Sequence, residues 1–128
     1  MLGEVWNWAG EFRRSEEDIG VPWIKIGMDL KVLLDDTLYW IDNNTFPPDE
    51  IAIRFKHRLV NIHCFPNGNG RHSRIMADII TESVFGNAVF SWNQSNMVKA
   101  DDTRKAYIAA IREGDKGDIG PLMMFARN

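Results

Sequence analysis

Only one cysteine, Cys64, occurs in the 128 residues, so no disulfide can form within the chain. Long apolar runs are missing as well: charges interrupt every hydrophobic stretch well short of the roughly 20 residues that span a bilayer. Charge of one sign does not dominate either. Fifteen basic side chains against 18 acidic ones leave a net charge of −3, which argues against a general affinity for nucleic acid. The start, Met1-Leu2-Gly3-Glu4-Val5-Trp6, has an acid and no basic region, so it does not read as a secretory signal. Repeats and low-complexity tracts are absent. These absences leave a single globular domain, 45% hydrophobic and 26% charged, with enough chain for one core and a composition suited to a reducing, cytoplasmic setting.

The periodicity is almost entirely helical. Apolar residues from Met28 through Leu30, Leu33, Leu34 and Ile41 form a stripe opposite Asp29, Lys31, Asp35 and Asp36, and Pro47-Pro48 end it. A second helix is expected from Pro48 or Asp49 through Phe55 and Leu59 to Ile62. Arg54, Lys56, His57 and Arg58 fall on its polar face. A third begins at Gly70 or Arg71 and runs through Met76 and Ile80 to Val84, before Gly86-Asn87. A fourth, with capping residues at 93–96, carries Val98, Ala106, Tyr107, Ile108 and Ile111, and a short fifth covers 122–126. Only residues 12–26 lack helical period. Gly20, Pro22 and the β-favouring Val21, Trp23, Ile24 and Ile26 read there as a loop or hairpin. The expected class is all-α with one small β excursion. The abrupt apolar start at Val5, Trp6 and Trp8 reads as a domain core, residues 1–128, whose upstream helices are missing.

The stretch from His63 to Arg74, His-Cys-Phe-Pro-Asn-Gly-Asn-Gly-Arg-His-Ser-Arg, concentrates the chemistry. It joins the end of the second helix to the start of the third. The third helix's free N–H groups and positive dipole end therefore face the turn, which makes an anion site before any side chain is counted. Gly68 and Gly70 let backbone amides point inward, and Asn69 tolerates a left-handed conformation while offering an amide donor. Arg71 and Arg74 lie in the first turn, where cations oppose the macrodipole, so an anion bound between them explains their place. His63, at the other lip, can take a proton from an incoming hydroxyl. Phe65 anchors the loop. Each element alone has a plainer explanation, such as a turn or a structural histidine. Together they point to phosphate chemistry or phosphate binding.

These residues resemble the signature of the Fic (filamentation induced by cAMP) family, His-x-Phe-x-(Asp or Glu)-Gly-Asn-Gly-Arg-x-x-Arg. Trp8-Ala9-Gly10 resembles the family's Trp-Ala-Gly stretch, residues 19–26 its flap, and the tail from Tyr107 through Gly117-Asp118 to Phe125 its closing helices. The wording of the motif is most similar to the branch named mobile mystery protein B, carried on bacterial mobile elements. The resemblance implies a Fic-type helical bundle with a short β-hairpin flap. It also implies nucleotidyl transfer, most often of AMP from ATP to a Ser, Thr or Tyr hydroxyl of a target protein. His63 would be the general base. The amides of Gly68, Asn69 and Gly70 with the Asn69 side chain would hold the α- and β-phosphates, and Arg71 and Arg74 would neutralise the β- and γ-phosphates. Trp23 and Ile24, on the flap, would dock the target's extended backbone by strand addition, with ordinary core packing as the rival explanation.

Two departures stand out. Asn67 occupies the place of the acid that holds Mg²⁺ in most AMP transferases, a weaker ligand, leaving phosphates and water to supply most of the shell. Cys64 replaces a proline and is expected to be packed rather than catalytic. The family's inhibitory pattern, (Ser or Thr)-x-x-x-Glu-(Gly or Asn), is approached only by Glu113-Gly114, with Ala109 where Ser or Thr should stand. Restraint would then come from upstream sequence, from another chain acting in trans, or be absent.

The rival readings are a catalytically weak or inactive nucleotide-binding module and Fic-type transfer of another phosphate-linked group. The spacing of His57, His63, Cys64 and His72 matches no usual zinc pattern, and His57 and His72 read as surface residues. The basic set of Arg54, Lys56, Arg58, Arg71 and Arg74 reads as a solvated face, and neither nucleic acid nor membrane is expected as a partner.

Overall fold

The computed structural model describes residues 20–65, 68–92 and 100–127. Five α-helices are present among them: α1 (Ile26–Asn43), α2 (Pro48–Ile62), α3 (Asn69–Ile79), α4 (Ala100–Asp115) and α5 (Gly120–Arg127). No strand occurs among the described residues. None of these helices is long and apolar enough to cross a membrane.

The hairpin expected over 12–26 is corrected where it can be seen. Trp23–Lys25 form a 3₁₀ turn that runs directly into α1, with the Lys25 N–H donating to the Pro22 carbonyl at 2.9 Å. Pro22 fixes φ near −51°, which suits the residue preceding a helical turn, and this outweighs the strand preference of the apolar residues after it. Residues 12–19 lie outside the described residues. Trp23 and Ile24 are 40% and 73% exposed.

The other boundaries follow local chemistry. Asn44 closes α1 in the left-handed conformation, and Pro48 opens α2 at a position where a missing N–H costs nothing, with Asp49 and Glu50 complementing its dipole. The third helix, expected to continue to Val84, widens instead into a π turn over Ile80–Val84, while the buried Thr81 hydroxyl donates to the Ala77 carbonyl.

α2 is the central helix and packs against α1, α3 and α5, while α4 packs on α5. Ala52, Ile53, Phe55 and Leu59 of α2 form the middle of the core with Leu33 of α1, Met76 and Ala77 of α3, and Leu122 and Ala126 of α5. A helix surrounded this way buries more than one stripe. Lys56 and His57, expected on a solvated face, are both buried. The ends of the bundle are tied by Arg127, which reaches both carboxylate oxygens of Asp49 at 2.6 and 2.8 Å and the carbonyls of Ala88 and Val89.

Candidate active site

α2 ends on His63, which adopts φ 54°, ψ 59° and donates its backbone N–H to the Leu59 carbonyl. A non-glycine residue in this left-handed region is uncommon, and it turns the chain sharply away from the helix axis. Cys64 and Phe65 follow, buried to 1% and 3%, and Phe65 packs edge-on against the His72 ring at 4.8 Å. They anchor the loop in the core, and Cys64 is packed as expected. Pro66 and Asn67 lie outside the described residues, so the expected magnesium ligand does too. Gly68, at φ 74°, then sets the chain into α3; a side chain there would be strained.

Asn69 is tied into the loop. Its side chain is buried, with Oδ1 accepting from the Phe65 N–H at 2.9 Å and Nδ2 donating to the Phe65 carbonyl at 2.8 Å. These two bonds clamp the loop closed, and each end of the amide keeps a further donor or acceptor site. Its backbone N–H, with those of its neighbours, belongs to the first turn of α3, where no acidic residue stands.

His63, Asn69 and Gly70 line one cavity of about 820 Å³, whose opposite wall is α4. Arg104, Tyr107 and Arg112 of α4 line it as well. Arg71 is exposed and Arg74 half-buried, and both flank this cavity rather than line it. The Arg74 guanidinium lies 5.3 Å from the centre of the Tyr107 ring, and its Nε reaches the Gly70 carbonyl at 3.4 Å. His63, Asn69 and Gly70 are therefore together, Gly68, Arg71 and Arg74 sit beside them, and Trp23 and Ile24 are not part of the lining.

Beneath this wall lies Lys56, completely buried. Its ammonium donates to the Ser73 hydroxyl at 3.2 Å and to the Tyr107 hydroxyl, and sits 4.5 Å from the Tyr107 ring centre. Ser73 in turn donates to the Gly70 carbonyl at 2.8 Å. Burial, reinforced by the Arg74 charge, lowers the Lys56 pKa to about 7, and burial also raises that of Tyr107. On the rim, His57 Nε2 lies 2.9 Å from Asp115 Oδ1 and 3.2 Å from the Ile111 carbonyl. This close approach depends on Gly114, where a Cβ would meet the His57 ring at 2.7 and 2.8 Å. His72, expected at the surface, is buried, and desolvation lowers its pKa to about 4.

Arg104, Tyr107, Ile108, Ile111 and Arg112 recur every three or four residues along α4. Two arginines on the edges of an otherwise apolar stripe were the signal in the sequence for a second, basic wall. Lys56 gave no such signal, since charge at one position of an amphipathic pattern reads as solvated.

As for a metal, no cluster of three or more His, Cys, Asp or Glu side chains able to hold one occurs among the described residues. The first turn of α3 offers amides and cations rather than carboxylates. A Mg²⁺ ion in this place fits only as a companion of bound phosphates, and the chain's described residues supply no cage for it.

A model of the Fic/DOC family matches residues 1–81. Over 120 residues the chain is 29% identical to the protein adenylyltransferase Fic of Aedes aegypti and 26% identical to those of Drosophila mojavensis and Drosophila melanogaster. These alignments cover 91% of this chain and 22 to 23% of the relatives, so the chain spans less than a quarter of their length.

Proposed function

Because the chain belongs to the Fic/DOC family, whose model covers 81 of its 128 residues, we propose that it is a protein adenylyltransferase, moving AMP from ATP to a Ser, Thr or Tyr hydroxyl of a target protein. The observation that carries this reading is the shared cavity. The residue bearing the imidazole and the acid-free N-terminus of α3 line the same space.

His63 takes the proton of the target hydroxyl as its oxygen attacks the α-phosphorus. A new P–O bond forms to the target, the bond from the α-phosphorus to the bridging oxygen breaks, and pyrophosphate leaves with the electron pair. The amides of Gly68, Asn69 and Gly70 hold the phosphates, and Arg71 and Arg74, at its edge, offset the charge that accumulates on the leaving group. The Asn69 side chain keeps the loop closed through Phe65, and its second amide N–H remains for phosphate. Such chemistry depends on positioning more than on covalent help, so this small set suffices. Magnesium, carried on the nucleotide, supplies further charge neutralisation. The relatives are themselves named protein adenylyltransferases, which supports this reading.

Label from the α-phosphate of ATP should appear on protein in a host lysate and be lost in His63→Ala, a drop of at least about 100-fold. Nucleotide binding without transfer in the wild type would instead support a binding module, a reading favoured by the amide at Asn67 where most relatives of this chemistry carry an acid. Asn67→Asp should raise Mg²⁺-dependent transfer; an unchanged or lower rate would count against that account of position 67.

A further inference from the structure

We propose that Lys56 is a positioning residue of this site, which joins the Tyr107 wall of the cavity to the first turn of α3 through the Tyr107 and Ser73 hydroxyls and places a positive charge behind the anion position. The proposal rests on the phosphate reading of the cavity given above. It goes beyond that reading because Lys56 lies outside the signature motif, seven residues before His63, and does not line the cavity.

A fully buried ammonium is costly unless something in the fold requires it. The groups facing Lys56 are the Ser73 hydroxyl and Arg74 of α3, the Tyr107 hydroxyl and ring of α4, and the Trp92 ring, whose centre is 5.7 Å away. Its neighbour on α2, His57, is turned to Asp115. Among the described residues, the faces around Lys56 thus contribute one cation, two hydroxyls and two rings, and no carboxylate. The hydroxyls and rings offset only part of the cost of the charge while the site is empty of anions. An anion held at the start of α3 would do so, acting on Arg74 and Lys56 together.

The connectivity gives the same direction. Tyr107 contacts Lys56 behind it, lies beside the Arg74 guanidinium and forms part of the cavity lining. Ser73 accepts from Lys56 and donates to the carbonyl of Gly70, itself a lining residue. Removing Lys56 would release both sides at once. Binding and protonation are then linked: an anion favours the charged amine, so the charged amine favours the anion.

Binding of inorganic pyrophosphate to the wild type, Lys56→Met and Tyr107→Phe, measured by calorimetry at pH 6.5 and pH 9, tests this. The anion's own titration cancels in the ratio between variants. Lys56→Met should bind roughly tenfold more weakly than wild type at pH 6.5, and the difference should largely close at pH 9, where the wild-type amine is already neutral. Tyr107→Phe should shift the titration of the Lys56 ε-carbon, followed by NMR on lysine-labelled protein without any anion. Equal affinities of wild type and Lys56→Met at pH 6.5, or a Lys56 titration untouched by Tyr107→Phe, would overturn the proposal alone. A wild type that does not bind pyrophosphate at either pH would overturn the phosphate reading of the cavity, and this proposal with it.

Discussion

Arg54, Arg58 and Arg127, on the outer faces of the bundle, each meet a carboxylate, from Glu50, Asp36 and Asp49 respectively. Lys56 and Arg74, on the side of α2 that faces α3 and α4, meet hydroxyls, a carbonyl and an aromatic ring instead. Both regions carry the same kind of charge. Where a cation has only to be held in place, an acid is supplied. On the proposed function an anion arrives beside Lys56 and Arg74, and no acid among the described residues pairs with them; a resident carboxylate would compete with phosphate for the same donors. Even adjacent positions divide this way: His57 is paired with Asp115, whereas Lys56 is not paired with any acid among the described residues.

The sharpest way to break the paired region is Gly114→Ala. The added methyl would overlap the His57 ring and push α4 from α2, at an expected cost of about 1–3 kcal/mol in urea denaturation. A separate test of the region around Lys56 is its pH response. The folded Lys56 has a pKa of about 7 against 10.5 for the ordinary side chain. Between these values the unfolded chain binds more protons, so stability rises with pH over that interval. The urea midpoint of the wild type should therefore climb from pH 7 towards pH 10, and Lys56→Met should lack that climb. His72 gives a smaller effect of the same origin on the acid side. Its folded pKa of about 4 lies below the ordinary 6.5, so the unfolded state takes up the extra proton and stability is lost as pH falls from 6.5 through 4. His72→Phe, if it packs, should flatten that loss in an acid-unfolding curve. The least effect is expected from the paired cations. Arg127→Gln should cost less than about 1 kcal/mol, since this ion pair is about one-third exposed. A larger thermal shift there would show that the clasp on Asp49 matters more than its charge.

Much of this was legible in the sequence. Pro48 and the acids after it mark the start of α2, and Gly68 with Gly70 marks the turn into α3, because those residues act through local backbone chemistry. His63, Asn69 and Gly70 were likewise assigned to one site, which the fold brings to one cavity. What was not legible depends on tertiary surroundings. Amphipathic spacing assigns a residue to a face but does not say how many neighbours cover that face. For α2, covered on several sides, Lys56 and His57 were read as solvated and are buried. For an amide such as Asn69, spacing alone does not reveal the two bonds to Phe65 that close the loop. At 22–26, apolar residues with strand preference lost to the dihedral set by Pro22.

The left-handed end of α2 has one more implication. A designer concerned only with durability would have put glycine where His63 stands, since glycine rests in that conformation without strain. His63→Gly should therefore melt no lower than the wild type while being as inert as His63→Ala. On the proposed function, the main chain holds His63 at the cavity edge at a small, permanent conformational expense.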